Sequence, residues 1–289
     1  MTDKAKLMLL RSKVAHVEEV PRFDHPSVVR GPACENCPSQ DRGMCCQISK
    51  EEFDCLFPNG VHFQTYKTGS ALFHQGEPFG QVLLIRSGWV LTYKVFQDGQ
   101  RQIIRFALPG DLIGFEGNDE SGMAYGAEAL SDVTLCGVKH SVFYKACSGS
   151  PQLAMNFATA VTREALSAWN HVGALGQQTA LGRIANLLLD LHRRVSAGCG
   201  RNSPAVHLPI NQTHIADATG LTPVHVCRTL KHMRLDKLLD FHKGQLVLFD
   251  PCRLSKIAQL DPEVRLDHPP PTPDLTMLAP RASMRSVTG

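Results

Sequence analysis

Residues 209–249 read PINQTHIADATGLTPVHVCRTLKHMRLDKLLDFHKGQLVLF. The pattern predicts two short helices, a tight turn between them and a β-hairpin behind. Asn211 suits an N-cap, and its helix should run to about Thr219. Ile215 falls inward, and Ala216 and Thr219 are small enough for a second helix to cross closely. Gly220-Leu221-Thr222 supplies the turn. Thr222 caps the next helix, with Pro223 at its first position, where a missing N–H costs nothing. Val226, Leu230 and Met233 recur at helical spacing and should pack inward, leaving Val224, Cys227, Arg228 and Lys231 on the opposite face. A recognition helix offers such a face to the major groove of double-stranded DNA. Leu238–Phe241 and Gln245–Phe249, joined through His242-Lys243-Gly244, read as a wing hairpin.

Charge points the same way. Between Gly176 and Leu260 there are 11 Lys/Arg against 5 Asp and no Glu, a balance of +6 in a chain whose total is +3, which leaves −3 for the remainder. A basic block appended to a mildly acidic body suits contact with phosphates.

The 289 residues allow one large or two ordinary domains, and 43% hydrophobic residues can build their cores. No apolar run is long enough to span a bilayer, and the N-terminus lacks the pattern of a secretory signal, so no membrane association and a cytoplasmic location are expected. Ten cysteines in that compartment argue for metal or redox chemistry rather than a disulfide framework. The 13 histidines form no H-x-H or HExxH pair, and no phosphate loop, nucleophile elbow or carboxylate pair stands out, so no enzyme is expected.

Five segments follow in order. Residues 1–62 form an arm that carries a cysteine loop, CENCPSQDRGMCC at 34–46, with C-x2-C-x7-C spacing and one more cysteine behind it. Residues 63–150 are short apolar runs between glycine turns, the texture of a β-roll. Pro151–Leu175 reads as one long helix bearing Leu153, Phe157, Val161, Val172 and Leu175. Residues 176–260 hold a second helix (Ala180–Val195), a loop from Gly198 to Pro204, the helix-turn-helix with its wing, and a closing helix over Arg253–Leu260. Residues 261–289 are proline-rich and expected to be disordered.

An α+β chain built as a jelly-roll, a long helix and a winged helix-turn-helix resembles the CRP/FNR family of dimeric bacterial transcription regulators. The resemblance covers Cys34 to Leu260 and rests on LFHQGE at 72–77, LIRSG at 84–88, LPGDLIGF at 108–115 and the helix-turn-helix. Cyclic-nucleotide binders in the family follow a Gly-Glu-Leu turn with an Arg-Ser or Arg-Thr pair. Here the turn is Gly110-Asp111-Leu112, and no arginine lies between Arg105 and Arg163, so a nucleotide phosphate lacks its counter-charge.

The cysteines are similar to those of the FNR-type, oxygen-sensing iron–sulfur branch, in which three lie near the N-terminus and a fourth in the roll. The resemblance implies a [4Fe-4S] cluster on Cys34, Cys37, Cys45 and Cys136. Spacing alone fits a structural zinc equally well. The alternative reading is therefore a relative with zinc, or with another small-molecule effector in its roll. Cys46 competes with Cys45 as ligand, and spacing favours Cys45. The resemblance further implies a homodimer along the long helix, with Leu153, Phe157, Val161, Val172 and Leu175 at its seam. It also implies contact with RNA polymerase near Phe96-Gln97-Asp98-Gly99, and a pseudo-palindromic operator read by Val224, His225, Cys227, Arg228 and Lys231. The recognition helix departs from its relatives in carrying Val224 where they often have glutamate.

Overall fold

Short apolar runs between His62 and Lys139 become eight strands, all in antiparallel pairs. They are β1 (His62–Tyr66), β2 (Ala71–Phe73), β3 (Gln81–Ser87), β4 (Val90–Val95), β5 (Arg101–Ala107), β6 (Leu112–Ile113), β7 (Gly126–Ala129) and β8 (Val133–Lys139). Two four-stranded sheets, β1-β8-β3-β6 and β2-β7-β4-β5, face one another. Between them lie Leu72, Phe73, Leu83, Ile85, Ala127, Val133 and Leu135, all buried. The computed structural model describes residue 37 and residues 43–116, 122–199 and 204–260. Cys34, most of the N-terminal arm and the segment 261–289 lie outside them.

Alternation along β8 sends neighbouring residues to opposite faces. Val133 and Leu135 enter the roll interior, whereas Cys136 and Val138 join a second apolar cluster on the sheet's outer face. That cluster also takes Met44, Cys45, Phe57 and Phe143, which come from the cysteine loop, the residue capping helix α1 (Lys50–Leu56), and helix α2 (His140–Gly149).

Helix α3 spans Pro151–Gln177, with Ser150 as N-cap and Pro151 in the first turn. Leu153 is only 1% exposed and, with Phe157, packs into the outer cluster of its own chain, where Phe157 meets Phe115 and Phe143 edge-on. Leu153 therefore leaves the expected dimer seam, and Phe157, half-buried, turns part of its ring to its own chain. Leu175, also expected at the seam, is half-buried in the single chain. The outward face of α3 carries Val172, one of the expected seam residues, and Trp169, 67% and 69% exposed.

Helix α4 (Ala180–Cys199) runs past the expected end at Val195 and absorbs Gly198 and Cys199. Strand β9 (Ala205–His207) follows, then α5 (Gln212–Thr219), α6 (Pro223–Leu235), β10 (Leu239–His242), β11 (Gln245–Leu248) and α7 (Pro251–Ile257). The wing has three strands, β10-β11-β9, where the sequence suggested two. A closing helix over 253–260 becomes 251–257 because the Asp250 side chain caps it by accepting from the Arg253 amide, with Pro251 in the first turn.

Candidate nucleic-acid interface and metal centre

Local chemistry builds the helix-turn-helix. Asn211 Oδ1 accepts from the His214 amide at 2.9 Å, and the Asn211 amide donates back to His214 Nδ1 at 3.3 Å, a reciprocal cap with histidine in place of the usual glutamate. Gly220 ends α5 at φ +65°, a conformation that costs glycine no Cβ clash. Thr222 Oγ1 then accepts from the His225 amide at 3.2 Å and starts α6. Val226, Thr229, Leu230 and Met233 are buried against the rest of the block.

The opposite face of α6 is open. Val224 is 61% exposed, and His225, Cys227, Arg228 and Lys231 are exposed beside it. The structure thus gathers all five predicted residues on or beside one helix face, four in the N-terminal half of α6 and Lys231 just beyond its middle. Arg234 is drawn away from it: its Nε donates to Asp240 Oδ1 at 2.6 Å and ties α6 to the wing. His242 and Lys243 stand exposed at the wing tip.

The turn at Gly110-Asp111-Leu112 is committed to internal partners. Asp111 Oδ2 accepts from the Leu108 amide and sits 3.2 Å from Arg105 and 2.6 Å from Arg194 of α4. Burial pushes this carboxyl up, but the Arg105 and Arg194 guanidiniums, together with the Leu108 amide and the more distant Arg163 charge, hold it below the ordinary aspartate value. Arg105 also pairs with Glu164 of α3 at 2.7 Å, so the roll, the long helix and the DNA-binding block share one ion network. Burial raises the Glu164 carboxyl, with Arg105 acting against it. Aromatic rings fill part of the roll interior: Phe73 packs at a tilt against Phe79 and Tyr125, ring centres 4.5 and 5.6 Å apart.

Of the cysteines, Cys45, Cys136 and Cys147 border the same outer cluster, reached from the loop, from β8 and from α2. Cys136 lies opposite Phe63 on β1 and Leu84 on β3. The loop is pinned to α3 by Asn156, whose Nδ2 donates to the carbonyls of Met44 at 3.0 Å and Cys46 at 2.7 Å while its Oδ1 accepts from Gln152. Sequence reading passed over Asn156, because one asparagine inside an apolar helix carries no signal until the loop is placed. Trp169 was also passed over, although it shares heptad spacing with Met155 and Thr162. Cys37 is half-buried, and Cys55, Cys227 and Cys252 are exposed thiols. Among the described residues, no three His, Cys, Asp or Glu side chains converge to hold a metal ion.

Comparison with known proteins matches residues 63–150 to the cyclic nucleotide-binding domain and residues 182–257 to the Crp-like helix-turn-helix domain. The chain belongs to the CRP/FNR family of transcription regulators. It is 30% identical over 240 residues to the nitrogen fixation regulation protein FixK of Bradyrhizobium diazoefficiens, covering 81% of this chain and 98% of that one. It is 26% identical over 225 residues to the transcriptional activator anr of Pseudomonas aeruginosa, covering 78% and 92%. The structure of FixK2 from Bradyrhizobium japonicum superposes with a TM-score of 0.61 at 30% identity, over 68% of this chain and 96% of that one. The protein is accordingly a DNA-binding regulator whose helix-turn-helix is the one described above. Its relatives are transcription regulators, not enzymes. Among the described residues, no helix is long and apolar enough to cross a membrane.

Proposed function

We propose that this CRP/FNR regulator responds to oxygen or redox state through a [4Fe-4S] cluster held by Cys34, Cys37, Cys45 and Cys136, and that the cluster controls dimerisation and operator binding. One observation carries the reading: Cys45 and Cys136 come from distant segments to the same apolar patch, and that patch is continuous with Leu153 and Phe157 of α3. The donor chemistry also fits, since four soft thiolates suit such a cluster. When bound, the cluster would supply an oxygen-labile cross-link between the loop and β8. Asn156 would pass any movement of the loop on to α3, because its amide holds carbonyls on both sides of Cys45.

The dimer would form along the outward face of α3, with Val161, Trp169 and Val172 in the seam. Trp169 and Val172 are large apolar groups left in water by the single chain. Phe96, 55% exposed at the turn between β4 and β5, is the surface proposed for RNA polymerase. Recognition helices of the two protomers would then enter successive major grooves of a pseudo-palindromic operator, about 34–36 Å apart.

Anaerobic purification with iron and sulfide analysis tests the cluster. The expected result is both elements with broad visible absorption, and colourless protein carrying one zinc would defeat the reading. Cys136→Ser and Cys37→Ser should abolish the absorption, whereas Cys55→Ser and Cys252→Ser should leave it. A full chromophore in Cys136→Ser would remove that residue from the ligand set and point to Cys46 instead. Sedimentation should show a dimer anaerobically and a weaker one after air exposure. Equal masses in both states would remove the switch and leave DNA binding untouched.

A further inference from the structure

The DNA-binding block is seated on the roll of its own chain. Ile103 and Phe106 of β5 are buried in the same apolar cluster as Leu188 and Leu191 of α4 and Ile215 and Ala218 of α5. Around this patch lie directional bonds. Arg101 of β5 reaches Asp217 of α5 at 3.4 Å while its Nη1 donates to Glu128 of β7 at 2.8 Å. Gln102 Nε2 donates to the Ala218 carbonyl at 3.1 Å. On the other side of the patch, Arg194 Nη1 donates to the Phe106 carbonyl at 2.9 Å.

Apolar contact is non-directional and tolerates sliding; the polar bonds fix where α5 comes to rest. Helix α6 packs on α5, so its position relative to α3 follows from that resting place. We propose that Asp217, held by Arg101 and assisted by Gln102, is a positioning residue that sets the distance between the two recognition helices and therefore the half-site spacing the regulator accepts. The inference rests on the dimer along α3 proposed above. Arg101 is prepared for this role: Glu128 holds it within the roll and the Tyr93 ring lies 5.2 Å from its guanidinium, so it meets α5 as a fixed partner.

Asp217→Ala is the informative variant. It leaves Arg101 paired to Glu128, and alanine is a better helix former than aspartate, so α5 is not weakened. The probes are the pseudo-palindrome that the anaerobic full-length wild type selects from random DNA, the same duplex with one inserted base pair, and a single half-site. An insertion moves one half-site by about 3.4 Å and turns it by about 35°. Wild type should lose about 100-fold in affinity on insertion, as one half-site drops out of simultaneous engagement. Asp217→Ala combined with Gln102→Ala should lose about 10-fold or less on insertion and bind the parent operator about five-fold more weakly, with half-site affinity within about two-fold of wild type. Asp217→Glu should restore most of the discrimination. An unchanged insertion penalty in a variant that is still dimeric overturns the inference alone. So does a half-site affinity that falls in parallel with the full site, because that marks general damage. A wild type that sediments as a monomer and ignores the insertion overturns the dimer reading and this inference with it.

Discussion

An Arg228→Ala variant is expected to lose about 1–3 kcal/mol of discrimination at one base pair in each half-site, or about 2–6 kcal/mol across a two-fold operator. Arg228 lies one turn beyond Val224 on the open face of α6 and is exposed. A bidentate guanidinium on guanine O6 and N7 is the contact expected of this position. Selection from random DNA should show one base pair per half-site relaxed and the others retained. If the variant keeps full sequence preference, α6 enters the groove in another orientation. Lys231, one turn further on, supplies the contrast. Its loss should weaken binding to all sequences alike and reduce the salt dependence by about one unit per contact. Val224→Glu supplies an acceptor for a cytosine amino group and should shift preference towards the half-site of FNR-type relatives. Identical enrichment by wild type and Val224→Glu would show that residue 224 reads no base.

Asp111→Ala should carry a large stability cost, about 3 kcal/mol at neutral pH. Arg194 would lose its close carboxylate partner at 2.6 Å and keep the longer pair with Asp190 at 3.7 Å, and Arg105 would keep Glu164 as its carboxylate, with both guanidiniums mostly shielded from water. The pH dependence has a definite sign. A carboxyl whose folded value is depressed contributes stability that is present above its unfolded value, about 3.9, and is lost as pH falls through the lower folded one. The gap between wild type and Asp111→Ala should therefore be full at pH 7 and shrink below about pH 4. Denaturant unfolding at several pH values measures it. Matching midpoints at pH 7 would show that the network contributes nothing to holding roll, long helix and DNA-binding block together.

The helix-turn-helix was almost wholly legible because its determinants are local. Asn211, Gly220, Thr222 and Pro223 act on backbone groups within four residues, and the structure places each in the role its chemistry suggests. The wing's third strand was not legible. Ala205–His207 is too short to announce itself and becomes a strand only because β11 offers it an edge. Helix α4 overran its expected end because Gly198 and Cys199 lower helix propensity without forbidding helix.

Apolar periodicity along α3 showed that the helix has buried faces but could not say against what. Leu153 and Phe157 read as seam residues with the same force as Val172, since a hydrophobic stripe looks alike whether its own chain or a second copy covers it. Packing decided: the outer cluster takes Leu153 and Phe157, and Trp169 with Val172 remains outside. The sequence by itself determined the class of fold, the open face of the recognition helix and the identity of the thiols, because capping, turn chemistry and residue type are properties of short stretches. Only the tertiary structure decided that Asn156 grips the loop beside Cys45, that Asp111 joins three elements, and that Arg101 meets Asp217 across 116 residues of chain. Such pairings depend on which surfaces the two sheets and the long helix bring together, and residues so far apart leave no spacing to read.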